Sequence, residues 1–144
     1  MSVELDNRSK IGCASANLES LLNFSLAELG LHPECELNLL LVDEDEMTDL
    51  HIKWMNEPGP TDVLSFPMDE VEPGWSEIAI LGDIVLCPAV AARQASDAGH
   101  SVEHELAILS VHGLLHIVGY DHLLKEEEEE MFSLQESLVK RWSK

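Results

Sequence analysis

Basic side chains are scarce in this sequence: Lys and Arg number 8 against 28 Asp and Glu, a formal net charge of −20 over 144 residues. Such a chain repels polyanions at long range and is kept in solution by its own charge. It also lacks a basic stripe and an RNP-type aromatic motif, so composition taken alone argues against nucleic-acid binding. Cysteine is nearly absent too. Cys13, Cys35 and Cys87 are odd in number, far apart and without a C-x-x-C pair, which excludes a disulfide framework or a zinc ribbon and leaves buried, inert thiols as the expectation. No apolar run approaches the roughly 20 residues of a membrane span, and the first residues lack the basic and apolar regions of a signal peptide. The expected location is therefore the cytoplasm. Internal repeats and linkers rich in Pro, Gly or Ser are missing, so residues 1–144 are expected to form a single domain.

What is present is enough apolar material for a core, 45% of the chain, arranged with clear periods. Val3 to Asp6 suits a first strand. Leu18, Leu21, Leu22, Leu26 and Leu29 recur at helical spacing, with Gly30 as the stop. Glu36 to Val42 reads as a buried strand, and Asp43 as the cap of a polar helix from Glu44 to Asn56 whose first turn is acidic. A turn follows at 56–60. Val63 to Phe66 and Ile78 to Leu86 read as strands, the second interrupted at Gly82; Pro67 ends the first or places it on an edge. Three helices close the chain: Ala89 to Asp97, Ser101 to Val118 with Ser101 as N-cap, and Leu123 to Trp142. The last carries an apolar stripe of Leu124, Met131, Leu134 and Leu138, with Glu126 to Glu130 as a solvated surface. The expected fold is α/β (α+β): a small mixed sheet of about four strands with about five helices, the two closing ones covering one sheet face.

Three of the seven histidines fall within eleven positions: His112, His116 and His122. Residues four apart on a helix share a face, about 5–6 Å between Cβ atoms, so His112 and His116 can converge on one ion. On a continuous helix His122 would lie about 9 Å further along and roughly 240° around from His116. Gly119 removes the difficulty, because glycine can take the left-handed conformation that ends a helix and turns the chain back. Histidines at +0, +4 and +10 with glycine at +7 reproduce the zinc-binding spacing of metzincin proteases. Three imidazoles leave the fourth position open, as in a catalytic zinc site whose bound water is the nucleophile; closure by Cys13, Cys35 or Cys87 has no support in the spacing. Nickel, copper or iron would suit the same donors. A metzincin carries its glutamate base directly after the first histidine; here that position is Gly113, which has no side chain to take a proton. Peptide hydrolysis by that route is thereby disfavoured, and the catalytic base stays unassigned. Asp121 either orients a ligand or serves as a turn residue.

With His112-Gly113-Leu114-Leu115-His116 and Gly119-Tyr120-Asp121-His122, preceded by Pro60-Thr61-Asp62-Val63-Leu64-Ser65-Phe66-Pro67 and Leu81-Gly82-Asp83-Ile84, the sequence resembles the YbeY family of bacterial metal-dependent endoribonucleases. The resemblance runs from about Leu41 to the last helix. It implies one zinc ion per chain on the three histidines, single-stranded RNA as substrate, a role in 16S ribosomal RNA 3′-end maturation and ribosome quality control, and the ribosome or ribosomal proteins as partners. For Thr61, Asp62, Ser65 and Asp83 turn chemistry and strand packing compete with a place in the cleft. One departure stands out: many family members have an arginine where this chain has Met55, and a methionine cannot stabilise a phosphorane charge. Lys53 lies close by but lacks the bidentate fork of arginine. Arg8, Lys10, Lys53 and Arg93 are the remaining candidates for a phosphate-facing side. Two alternatives follow: an assembly factor that binds with little nuclease activity of its own, and a zinc hydrolase of another substrate class.

Overall fold

The computed structural model describes residues 3–10, 15–75, 77–120 and 125–142. Four strands and five helices follow in the order β1 (Val3–Asn7), α1 (Ser15–Glu28), β2 (Glu36–Leu41), α2 (Glu44–Met55), β3 (Val63–Pro67), β4 (Ile80–Leu86), α3 (Pro88–Ala98), α4 (Val102–Ile117) and α5 (Lys125–Trp142). The sheet order is β1-β2-β4-β3. The first two pairings are parallel, and β3 runs antiparallel to β4 on the outer edge. The expected mixed sheet is therefore present, and Pro67 both ends β3 and belongs to an edge strand, where its missing N–H breaks no ladder bond.

The period of two along each strand splits the apolar residues into two layers. Leu37, Leu39, Leu41, Ile84 and Leu86 face the main core with α1, α4 and α5. Leu40, Leu64, Phe66 and Val85 face a smaller cluster closed by Met47 and Leu50 of α2. The closing helices divide the work unequally. α4 packs directly on β3 and β4, whereas α5 lies mainly against α4 and α1. The reason is compositional: α4 buries Leu106, Leu109, Val111, Leu114, Leu115 and Ile117 around its circumference, and a helix apolar on all sides belongs in the interior. At about 1.5–3 kcal/mol per buried aliphatic side chain, that burial fixes α4 more firmly than any polar contact around it. α5 buries the stripe Met131, Gln135, Leu138 and Val139 and leaves Glu126 to Glu130 in solvent. Leu124, the first residue expected in that stripe, lies outside the described residues.

Three local details depart from expectation. Asp43 occupies the N-cap position of α2 but makes no side-chain cap bond; its carboxylate accepts the Lys10 amide at 2.9 Å instead. Strand β4 starts at Ile80, two residues late, because the Asp69 carboxylate takes the Ile80 N–H at 2.8 Å. Gly82 does not interrupt the strand. The register steps from Glu36↔Ile80 to Leu37↔Gly82, leaving Leu81 as the extra residue of a bulge. Gly82 has φ +139°, and a Cβ there would stand 2.2 Å from the Phe66 carbonyl oxygen, so only glycine lets β3 and β4 close. Gly82→Ala is expected to cost about 2–4 kcal/mol, read as a lower urea midpoint with unchanged m-value.

Candidate metal centre

α4 holds His112 and His116 one turn apart, with Ser101 capping its start by accepting the His104 amide at 3.1 Å. The two Nε2 atoms stand 3.1 Å apart, with the rings nearly perpendicular at 80°. Two nitrogens each about 2.0–2.1 Å from a tetrahedral ion stand about 3.3–3.4 Å apart, so the pair is within a few tenths of an ångström of what a shared ion demands. The donor set is neutral imidazole, which suits zinc. α4 ends at Ile117, and Gly119 has φ +100° with its N–H on the His116 carbonyl and that of Tyr120 on Leu115. The helix thus stops at the glycine that the spacing singled out. His122 and Asp121 lie outside the described residues, as does Cys13. Among the described residues no group of three His, Cys, Asp or Glu side chains is placed to hold a metal ion.

The orientation of His112 is set from α5. Its Nδ1 lies 2.8 Å from Gln135 Oε1, and Phe132 stacks on its ring at 6.0 Å and 23°. Gln135 is only 8% exposed. Because an amide oxygen only accepts, Nδ1 carries the proton and Nε2, the atom facing His116, is left as the acceptor. Neither Gln135 nor Phe132 was singled out from sequence. Gln135 had a legible signal, since it stands four residues after Met131 on the apolar stripe, where a polar residue needs a partner.

Gly113 has a packing role. A Cβ there would meet Ile84 Cγ2 at 2.9 Å, Ser65 Oγ at 3.1 Å and Val63 Cγ2 at 3.3 Å. The metzincin glutamate is excluded by the sheet, and no base can come from this position. Ser65 donates its hydroxyl to the Gly113 carbonyl at 3.1 Å, tying β3 to α4. Asp62 shows turn chemistry: it accepts the Val63 amide at 2.7 Å, the Gln94 amide group at 3.2 Å and, more loosely, the Thr61 hydroxyl. Asp83 accepts from Asn38 at 3.0 Å and, with Met55, lines a groove on the α2 side of the sheet.

Beside His116 opens a cavity of about 790 Å³, walled by residues 67–73 of the β3–β4 connection and 117–120 at the end of α4. Its carboxylates are Asp69, Glu70 and Glu72. Burial, aided by the charge of Glu130, pushes the Tyr120 phenol above its ordinary value, so it stays a neutral donor at physiological pH. Cys35 and Cys87 are buried and free; neither lines the cavity, and burial raises the Cys87 thiol, which keeps it protonated. Among the described residues no Lys or Arg lines this cavity. Arg8 pairs with Asp6 and Glu46, Arg93 with Glu44 and Arg141 with Glu28.

The Gln135 contact is testable without any metal. In long-range 1H–15N spectra of metal-free protein at alkaline pH, His112 is expected as the Nδ1–H tautomer. Gln135→Leu should turn it into a mixture with the fold intact by circular dichroism, while Gln135→Glu keeps it. An unchanged tautomer in Gln135→Leu would show that Gln135 serves packing alone.

A family model described as Endoribonuclease YbeY matches residues 4–143. The proteins of that name from Rhodococcus erythropolis and Thermobifida fusca are each 53% identical, over 99% of this chain and 82% and 94% of their own lengths. The Mycobacterium tuberculosis protein is 52% identical over 99% of this chain and 84% of its own. The solution structure of TM1509 from Thermotoga maritima superposes with a TM-score of 0.67 at 28% identity, covering 97% of this chain and 88% of that one. On sequence and fold alike, the chain belongs to the endoribonuclease YbeY family.

Proposed function

We propose that this chain is a metal-dependent endoribonuclease that cuts single-stranded RNA, with His112, His116 and His122 holding one zinc ion. The observation that carries the reading is the convergence of two Nε2 atoms at 3.1 Å beside an open cavity, in a family named for endoribonuclease activity. A divalent ion on these histidines supplies Lewis acidity toward a phosphoryl oxygen and lowers the pKa of water. The chain's own residues do the rest. Gln135 keeps His112 Nε2 unprotonated. The segment 67–73 and the turn at Gly119 shape the cavity that receives the scissile phosphodiester. Asp69 is engaged with the Ile80 amide, which among the described residues leaves Glu70 and Glu72 as cavity carboxylates for holding a proton. Tyr120 offers a neutral hydroxyl at the same wall. The processing of 16S ribosomal RNA 3′ ends, ribosome quality control, ribosomal partners and a cytoplasmic location belong to this proposal; among the described residues no helix is long and apolar enough to cross a membrane.

The acidic cavity wall supports a second reading, an assembly factor that binds its partner and cuts little. Metal content and cleavage of an unstructured oligoribonucleotide, measured together on wild type and His116→Ala, separate the two. The nuclease reading expects about one zinc per chain and cleavage in wild type, with both lost in a folded His116→Ala. Zinc without cleavage in wild type would sink the nuclease and favour the binding factor. Casein cleavage in place of RNA cleavage would make the protein a hydrolase of another class.

A further inference from the structure

The groove on the far side of β3 has features that the metal centre does not use. It encloses about 590 Å³, within the range of small-ligand sites. Leu40, Leu50 and Val85 supply its apolar inner wall, while Trp54, Phe66 and Met68 stand at its mouth. Trp54 and Met68 are each 58% exposed, large apolar surfaces that folding leaves in water. Trp54 and Phe66 meet edge-to-face, with ring centroids 6.1 Å apart and planes at 70°, a contact that steadies the indole. Lys53 Nζ lies over the Trp54 ring, 5.1 Å from its centroid, a cation–π contact that a base stacking on that face would displace toward the strand's backbone. Pro67 and Met68 line both this groove and the cavity beside His116. A strand lying across the end of edge strand β3 therefore reaches both.

We propose that this groove takes an unpaired nucleobase of the RNA, stacked on Trp54, a short way along the strand from the phosphate beside His116. The inference rests on the nuclease reading above and adds where the strand is gripped. The chemistry favours a base over a phosphate. Arg8, at the groove, is already paired with Asp6 and Glu46, which leaves Lys53 beside the stacking ring as the cation for the backbone. Stacking asks for no basic stripe, since every base has a π-face. It is a mode of RNA capture open to a chain of net charge −20.

The test is fluorescence anisotropy of a labelled, unstructured oligoribonucleotide on metal-loaded protein, using a 2′-O-methyl strand to prevent cleavage. Trp54→Ala should weaken binding about tenfold to a hundredfold, the size of one stacked base, and Trp54→Phe should recover most of it. Ile78→Ala, which removes a side chain 61% exposed elsewhere on the surface, should change nothing. The slope of log affinity against log salt should stay the same in Trp54→Ala, because a stack releases no counterions, and fall in Lys53→Ala. In cleavage of the ordinary strand, Trp54→Ala should raise KM while kcat stays close to wild type. Wild-type binding with an undiminished Trp54→Ala would overturn the nucleobase subsite alone; a groove made for an apolar peptide gives that result. Failure of wild type to bind RNA would overturn both the subsite and the nuclease reading.

Discussion

Gly113 marks the point where α4 comes down onto β3 and β4, and the rest of the site depends on that close approach. With Ile84, Ser65 and Val63 packed around the space a side chain would need, the helix cannot rise or roll without losing the contacts that bury Leu114 and Leu115. The histidines flank this anchor, His112 immediately before it and His116 three residues after. Their rings inherit the rigidity of the sheet. The approach also decides the chemistry, since the position that holds a glutamate base in the similarly spaced proteases is here filled by the sheet itself. Among the described residues, the carboxylates nearest this helix end are those lining the cavity beside His116, Asp69, Glu70 and Glu72.

The second constraint comes from α5. A helix that buried only apolar groups against α4 would offer the His112 Nδ1 no acceptor from α5. Gln135 replaces one apolar position of that stripe with an acceptor at 2.8 Å, and Phe132 covers the ring face. A buried amide is costly unless bonded, so its presence on an otherwise apolar stripe has its explanation in the imidazole it meets. The acceptor of the His112 Nδ1 is thus a residue 23 positions away in the chain, a relation no local spacing rule contains.

That distinction explains what was legible beforehand. Features carried by local pattern were readable: the leucines of α1, the short apolar run of β2, the Ser101 cap and the one-turn spacing of His112 and His116. Gly119 was readable because helix termination is local chemistry. The late start of β4 was not, since it depends on the Asp69 carboxylate reaching Ile80 across a connection. Nor was the conflict over Asp43, where a cap site is claimed by the amide of Lys10 from another part of the chain. The groove was hidden for the same reason. Trp54 and Phe66 read separately as part of a polar helix and a strand residue, Met68 carried no signal, and only the antiparallel return of β3 along β4 sets them around one space.

Net charge is the property hardest to square with RNA, and the structure relocates the difficulty. What matters to a polyanion at contact is the local field, and long-range repulsion among exposed charges is damped beyond about 8–10 Å at physiological ionic strength. Part of the acidity is solvated surface: Glu126, Glu128 and Glu129 project from α5 into solvent, while Glu127 and Glu130 stand beside Gly119 and Tyr120. Near the groove, Arg8 is already matched by Asp6 and Glu46. The carboxylates that do line the His116 cavity favour a cation there before they meet a phosphate, and a divalent ion offsets most of their charge. An acidic cavity beside converging imidazoles is therefore an argument for metal before substrate, with the strand then held by stacking rather than by a basic surface. In that order of events the deficit of lysine and arginine ceases to count against the family's chemistry. It is instead consistent with a strand held by stacking on the proposed aromatic groove.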